Sequence, residues 1–92
     1  MSRFPQANVH PDAQIGNNVI IEPFATVQKD VIIDDDCWIG PNSAITPQLK
    51  IGDKGFVTIG SVVTRNVEPG QTVSGNFAIE HSKFIKFIKT IR

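Results

Sequence analysis

The chain has 92 residues, nine basic and nine acidic side chains that cancel, and 40% hydrophobic composition. This is one small domain, neither disordered nor membrane-embedded, with no global field directed at nucleic acid. Thirteen Ile and nine Val stand against a single Leu, Leu49, which excludes a helical bundle, because β-branched side chains favour strands and Leu favours helices.

Further classes fall away on local features. One cysteine, Cys37, excludes an internal disulfide framework. No apolar run approaches the roughly 20 residues of a spanning helix. The opening Met1-Ser2-Arg3-Phe4-Pro5-Gln6 lacks the apolar core of a signal peptide, so a cytoplasmic location is expected.

From Val9 onward a repeat organises the chain. Val or Ile occupies positions 9, 15, 21, 27, 33, 39, 45, 51, 57 and 63 without a miss, and Pro69 keeps the phase. With Val and Ile at about a quarter of positions, such a run arises by chance on the order of once in a million. Four residues after each hit stands a small or apolar residue, among them Val19, Ala25, Val31, Cys37, Ser43, Gly55, Val67 and Val73. Strand side chains alternate, so each of these shares a side with the Val or Ile two places on. Turn-forming pairs separate the strands: Pro11-Asp12, Asn17-Asn18, Asp35-Asp36, Pro41-Asn42 and Arg65-Asn66.

Short strands bending in one sense around an apolar side predict a parallel β-solenoid. With three hexads per turn, residues 18 apart stack. The outward columns are then Ile20, Trp38, Phe56 and Ser74 on one face, Gln14, Ile32, Lys50 and Glu68 on the second, and Thr26, Ala44 and Val62 on the third. The first column is an apolar ladder facing outward, a surface that seldom stays in water. Ile20, Trp38 and Phe56 are therefore expected to form a subunit interface or a seat for the C-terminal segment.

From Gly75 the phase is lost. In residues 83–92, Phe84, Ile85, Phe87, Ile88 and Ile91 fall within about 160° of arc at helical periodicity, with Lys83, Lys86 and Lys89 opposite. This predicts one amphipathic helix over 81–91, with Ser82 as N-cap, closing the open end of the solenoid. The whole chain is read as a single domain, with repeats over 7–74 and a linker over 75–80.

The hexads, clearest at Ile15-Gly16-Asn17-Asn18-Val19 and Ile39-Gly40-Pro41-Asn42-Ser43, resemble those of the hexapeptide-repeat acyltransferases. Asn8-Val9-His10-Pro11-Asp12-Ala13-Gln14-Ile15-Gly16 looks like the first turn of the UDP-sugar acyltransferases of lipid A synthesis. Gly60-Ser61-Val62-Val63-Thr64-Arg65-Asn66-Val67-Glu68-Pro69-Gly70, with Ser74-Gly75-Asn76-Phe77-Ala78, looks like the last turn of that superfamily, which includes many sugar acetyltransferases. The resemblance implies an all-β, left-handed parallel β-helix, here of about 3.7 turns with a short C-terminal α-helix, assembled as a homotrimer. It also implies acyl transfer from a thioester, on coenzyme A or acyl carrier protein, to a hydroxyl or amine of a sugar or nucleotide-sugar. The alternative is a non-catalytic or truncated trimeric solenoid.

The chemistry calls for a general base, usually histidine. In the lipid A enzymes it stands two residues after a hexad's aliphatic position, in a middle turn. Here those positions, from Pro11 to Gln71, hold Pro, Asn, Lys, Asp, Ile, Arg or Gln and never His. The catalytic residue is therefore not transferable. His10 and His81 are the two histidines and the two candidates for the base; two also fall short of a three-His zinc site, and no metal is expected. Arg65, Lys83 and Lys86 are candidates for phosphate contacts to coenzyme A or a UDP-sugar. Asn17, Asp35 and Asp53 should stack along one edge as turn chemistry, and Cys37 should be a small core residue.

Overall fold

A computed structural model describes residues 4–75 and 80–90. Eleven two-residue strands follow one another at six-residue steps: β1 (Asn8–Val9), β2 (Gln14–Ile15), β3 (Ile20–Ile21), β4 (Thr26–Val27), β5 (Ile32–Ile33), β6 (Trp38–Ile39), β7 (Ala44–Ile45), β8 (Lys50–Ile51), β9 (Phe56–Val57) and β10 (Val62–Val63), then β11 (Thr72–Val73) after a longer step. One helix, α1 (His81–Thr90), ends the described chain.

From β1 to β7 each strand pairs in parallel with the strand three places on, and β9 pairs with β11, which gives three sheets: β1-β4-β7-β10, β2-β5-β8 and β3-β6-β9-β11. The molecule is thus a three-sided parallel β-solenoid of about four turns with a C-terminal helix. Most pairs are 18 residues apart, as in Ile20 with Trp38 and Trp38 with Phe56. The repeat fixes the core. Ile33, Ile39, Ile45, Ile51 and Val57 are fully buried, and Ala25, Val31, Cys37, Ser43 and Ser61 pack between them. The two buried hydroxyls are satisfied: Ser43 donates to the Gly40 carbonyl at 2.6 Å, and Ser61 bonds the Thr58 hydroxyl at 2.9 Å.

Most of the bends share one conformation. The second turn residue takes a left-handed backbone at Asn18, Asp30, Asp36 and Asn42, which tolerate it, but also at Phe24, Gln48 and Lys54, which ordinarily avoid it. Stacking explains why they hold it. The amide of Gln48 donates to the Lys29 carbonyl one turn below, and that of Lys54 to the Asp35 carbonyl, so the strained residue supplies an inter-turn hydrogen bond.

The last turn departs from the repeat. Val67 bridges Ile51 and Thr72 pairs with Phe56, both 16 residues apart. The step from Val63 to the next inward residue has lost two residues. Val67, not Pro69, fills the inward position over Ile51 and is buried. Pro69 and Gly70 form the following turn, with Gly70 at φ 74°. Consequently Thr72, not Ser74, continues the outward column above Phe56, and Glu68 does not stack on Lys50. The contraction would leave the Lys50 amide without its backbone acceptor; the Asn66 side-chain carbonyl accepts it instead, at 2.9 Å. Gly52 is where the shortened turn crosses closest: a Cβ there would lie 2.6 Å from the Pro69 nitrogen.

Helix α1 is capped two residues earlier than expected. The Phe84 amide donates to the Glu80 carbonyl, so Glu80 takes the capping place and Ser82 lies inside the first turn, its hydroxyl on the Glu80 carboxylate. None of its residues is buried. The helix therefore does not close the end of its own solenoid. Ile91 and the motif residues Asn76, Phe77 and Ala78 lie outside the described residues.

Candidate functional site

The face built from β3, β6, β9 and β11 carries the exposed apolar ladder. Trp38 and Phe56 stack with ring centroids 4.6 Å apart and planes 19° from parallel. The Trp38 indole N–H donates to Glu22 at 3.2 Å, which fixes the ring against the sheet. Ile20, on the edge strand β3, and Phe56, on the inner strand β9, remain 53% and 41% exposed. Trp38, Phe56, Thr58, Ile59 and Ser74 line a mostly apolar groove. Ile59 and Phe24 extend the patch onto the adjoining corner, each 65% exposed. The columns did not reveal these two, because they are turn residues; an aliphatic and an aromatic at turn positions otherwise held by Pro, Asn and Gly was the available signal. The ladder of Ile20, Trp38 and Phe56 is a contiguous apolar surface in the isolated chain.

His10 follows β1 and is half-buried. Its Nδ1 accepts the Asp12 amide at 3.0 Å. The lone pair of that nitrogen is engaged by the backbone, so the neutral ring carries its proton on Nε2 and offers a donor. Around it Asn8, Thr26, Gln28, Lys29 and Pro47 line a shallow groove. His81 is the first residue of α1 and exposed. The two histidines thus occupy opposite ends of the chain path, one in the first turn and one beyond the last.

Arg65 lies exposed in the contracted turn, where it lines a cavity with Ser61, Thr64, Asn66, Gln71 and Ser74 at the last turn. Lys83 and Lys86 are exposed on α1. The described geometry does not bring Arg65 and these lysines into one pocket.

The oxygen-rich edge is structural. Asp35 accepts the Asn17 amide at 2.8 Å and Asp53 accepts the Asp35 amide at 3.0 Å, a carboxylate ladder tying each turn to the one below. Among the described residues no group of three His, Cys, Asp or Glu could hold a metal ion. Cys37 is buried, its thiol donating to the Gly52 carbonyl at 3.0 Å. Burial pushes that thiol up from its ordinary 9.0, with the charges of Asp34 and Asp53 adding to the effect against backbone hydrogen bonding. It is a protonated core thiol, not a nucleophile. No helix among the described residues is long and apolar enough to cross a membrane.

Comparison with known proteins returns acetyltransferases. The bifunctional protein GlmU of Psychrobacter cryohalolentis is 44% identical over 55 residues, covering 59% of this chain and 12% of that protein. The 2,3,4,5-tetrahydropyridine-2,6-dicarboxylate N-acetyltransferase of Staphylococcus aureus is 37% identical over 68 residues, 74% of this chain and 28% of that protein. Among solved structures, a histidine-to-alanine variant of the GDP-perosamine N-acetyltransferase of Caulobacter crescentus, in complex with CoA and GDP-perosamine, matches with a TM-score of 0.48 at 21% identity, over 77% of this chain and 51% of that one. The chain therefore spans under a third of the length of these two curated relatives. No family model matches the sequence.

Proposed function

From the premise that this chain belongs to the hexapeptide-repeat acetyltransferase superfamily, we propose that it is the solenoid of a trimeric acetyltransferase. It takes an acetyl group from coenzyme A and passes it to an amine, on a sugar or a comparable small acceptor, in the cytoplasm. The observation that carries this reading is the likeness, at 37% identity over 68 residues, to an N-acetyltransferase, in a chain whose hexad phase runs unbroken from Val9 to Val63. Acetyl is favoured over a longer acyl chain on a carrier protein, because the relatives above are acetyltransferases. The likeness to the lipid A enzymes supports the fold more than the substrate.

The histidine geometry favours an amine over a hydroxyl. A hydroxyl acceptor needs its proton removed as it attacks the thioester carbonyl. A free amine attacks with its own lone pair and sheds the proton afterwards, while the C–S bond breaks and the CoA thiol leaves. His10, with Nδ1 engaged by Asp12, is set to donate from Nε2 to a developing oxyanion, not to accept a proton. Arg65, Lys83 and Lys86 are exposed cations offered to CoA phosphates in the proposed assembly.

The aromatic ladder supports assembly. A three-sided solenoid of this size buries little core, and covering Ile20, Trp38 and Phe56 with a neighbouring subunit would add to its stability. The test is thiol release from acetyl-CoA with amino sugars and with hydroxyl-only sugars. Release with the amine alone, slowed at least tenfold by His10→Ala, supports the reading. The engaged Nδ1 of His10 also favours a second reading, a non-catalytic solenoid; no release with any acceptor selects it.

A further inference from the structure

We propose that α1 of one subunit lies along the aromatic face of a second copy of this chain. The inference rests on the subunit contact proposed above and not on catalysis. Two apolar surfaces are left without a cover. On α1, Phe84, Ile85 and Phe87 are 44%, 38% and 55% exposed. On the solenoid, Ile20, Trp38 and Phe56 form the exposed column. The helix buries none of its residues on its own chain.

The two surfaces match in size and charge. Ten helical residues span about 15 Å. The column from Ile20 to Thr72 crosses three inter-strand steps, about 14 Å. Residues 4–75 carry eight acidic and four basic side chains, whereas α1 carries Lys83, Lys86 and Lys89 and no acid. Acids flank the column on both sides: Glu22 after β3, and exposed Asp36 in the turn before β6. With its apolar stripe on Trp38 and Phe56, α1 turns its lysine row away from the sheet, so the charge match lies in the net difference between an acidic solenoid and a basic helix. Packing α1 against another α1 would instead join two helices that each carry three lysines and no acid, without that net attraction. The acidic solenoid also disfavours an anionic lipid surface as the cover. A helix on a neighbour's sheet is a head-to-tail contact, the kind that forms a ring where its rotation closes.

Disulfide trapping in the full chain tests this, with Cys37→Ala as background. Phe56→Cys chains are mixed with Phe87→Cys chains and oxidised. A covalent heterodimer is expected. Its absence from a mixture that sediments as an oligomer overturns the helix docking alone and leaves the subunit contact standing. A monomer at every concentration defeats the subunit contact and this inference with it. A Phe56→Cys/Phe87→Cys chain that closes within itself overturns the exchange in favour of docking on its own face. As a second measurement, Phe84→Glu/Phe87→Glu in the full chain should weaken self-association at least tenfold and shift Trp38 emission to the red; no change contradicts the proposal. So does flotation of the native protein with phosphatidylserine vesicles at the expense of the oligomer.

Discussion

The middle turns and the last turn obey different rules. Between Val9 and Val63 every inward position recurs at six, every stacked pair is 18 apart, and each turn hydrogen-bonds the one below through backbone alone or with a carboxylate ladder. The last turn is two residues shorter and keeps its register by substitution: Val67 for an aliphatic at 69, the Asn66 side chain for a backbone carbonyl, Thr72 for Ser74. The difference teaches that a solenoid is specified locally by its repeat but ended by particular side chains.

The comparison can be broken first in its regular part. Ile45 is fully buried, stacked between Val27 and Val63. Ile45→Ala should cost about 2–5 kcal/mol in chemical denaturation. Val73→Ala, which removes two carbons instead of three at a half-buried position in the last strand, should cost clearly less per carbon removed. Equal losses per carbon would mean that the last turn is as tightly packed as the middle.

Next comes the crossing at Gly52. Gly52→Ala places a Cβ against the Pro69 nitrogen and should destabilise by about 1–3 kcal/mol. Gly60→Ala meets no atom within 4 Å and should cost only the strain of its left-handed backbone, about 1–2 kcal/mol. Asn66→Ala is smaller again. It removes the acceptor for the exposed Lys50 amide, worth about 0.5–1.5 kcal/mol, and Asn66→Asp, which retains an oxygen there, should restore most of it.

The smallest effect is on pH dependence. The folded state holds the Cys37 thiol protonated above its ordinary 9.0, so the unfolded chain ionises first as pH rises. That contribution is intact below pH 9.0 and is lost as pH climbs through the folded value. Cys37→Ala should flatten the alkaline fall in stability, measured by urea midpoints from pH 8 upward. An unchanged slope would remove Cys37 from the account.

These contrasts also mark what the sequence made legible. The six-residue phase gave the strands, the three faces, the buried Val and Ile and the inward Cys37, because one physical requirement repeats at each hexad. The contraction was hidden because Val67 is apolar in either register and Pro69 happens to keep the count. Its traces were Pro69-Gly70, a turn dipeptide where a strand was expected, and Asn66, whose side chain imitates a peptide carbonyl. The helix was visible in its period, but Ser82 competed with Glu80 for the cap, and periodicity does not say which surface a helix covers. The site was least legible. Whether His10 can act as a base depends on the amide its ring accepts, a two-residue contact with no pattern in sequence.

The central claim is that the Ile20, Trp38 and Phe56 face is a subunit interface. Sedimentation equilibrium over nanomolar to micromolar protein tests it most directly. A mass three times that of the 10.1 kDa chain is predicted, falling to one chain in Phe56→Glu. A folded 10.1 kDa monomer at micromolar concentration, with Phe56→Glu behaving the same, would contradict it.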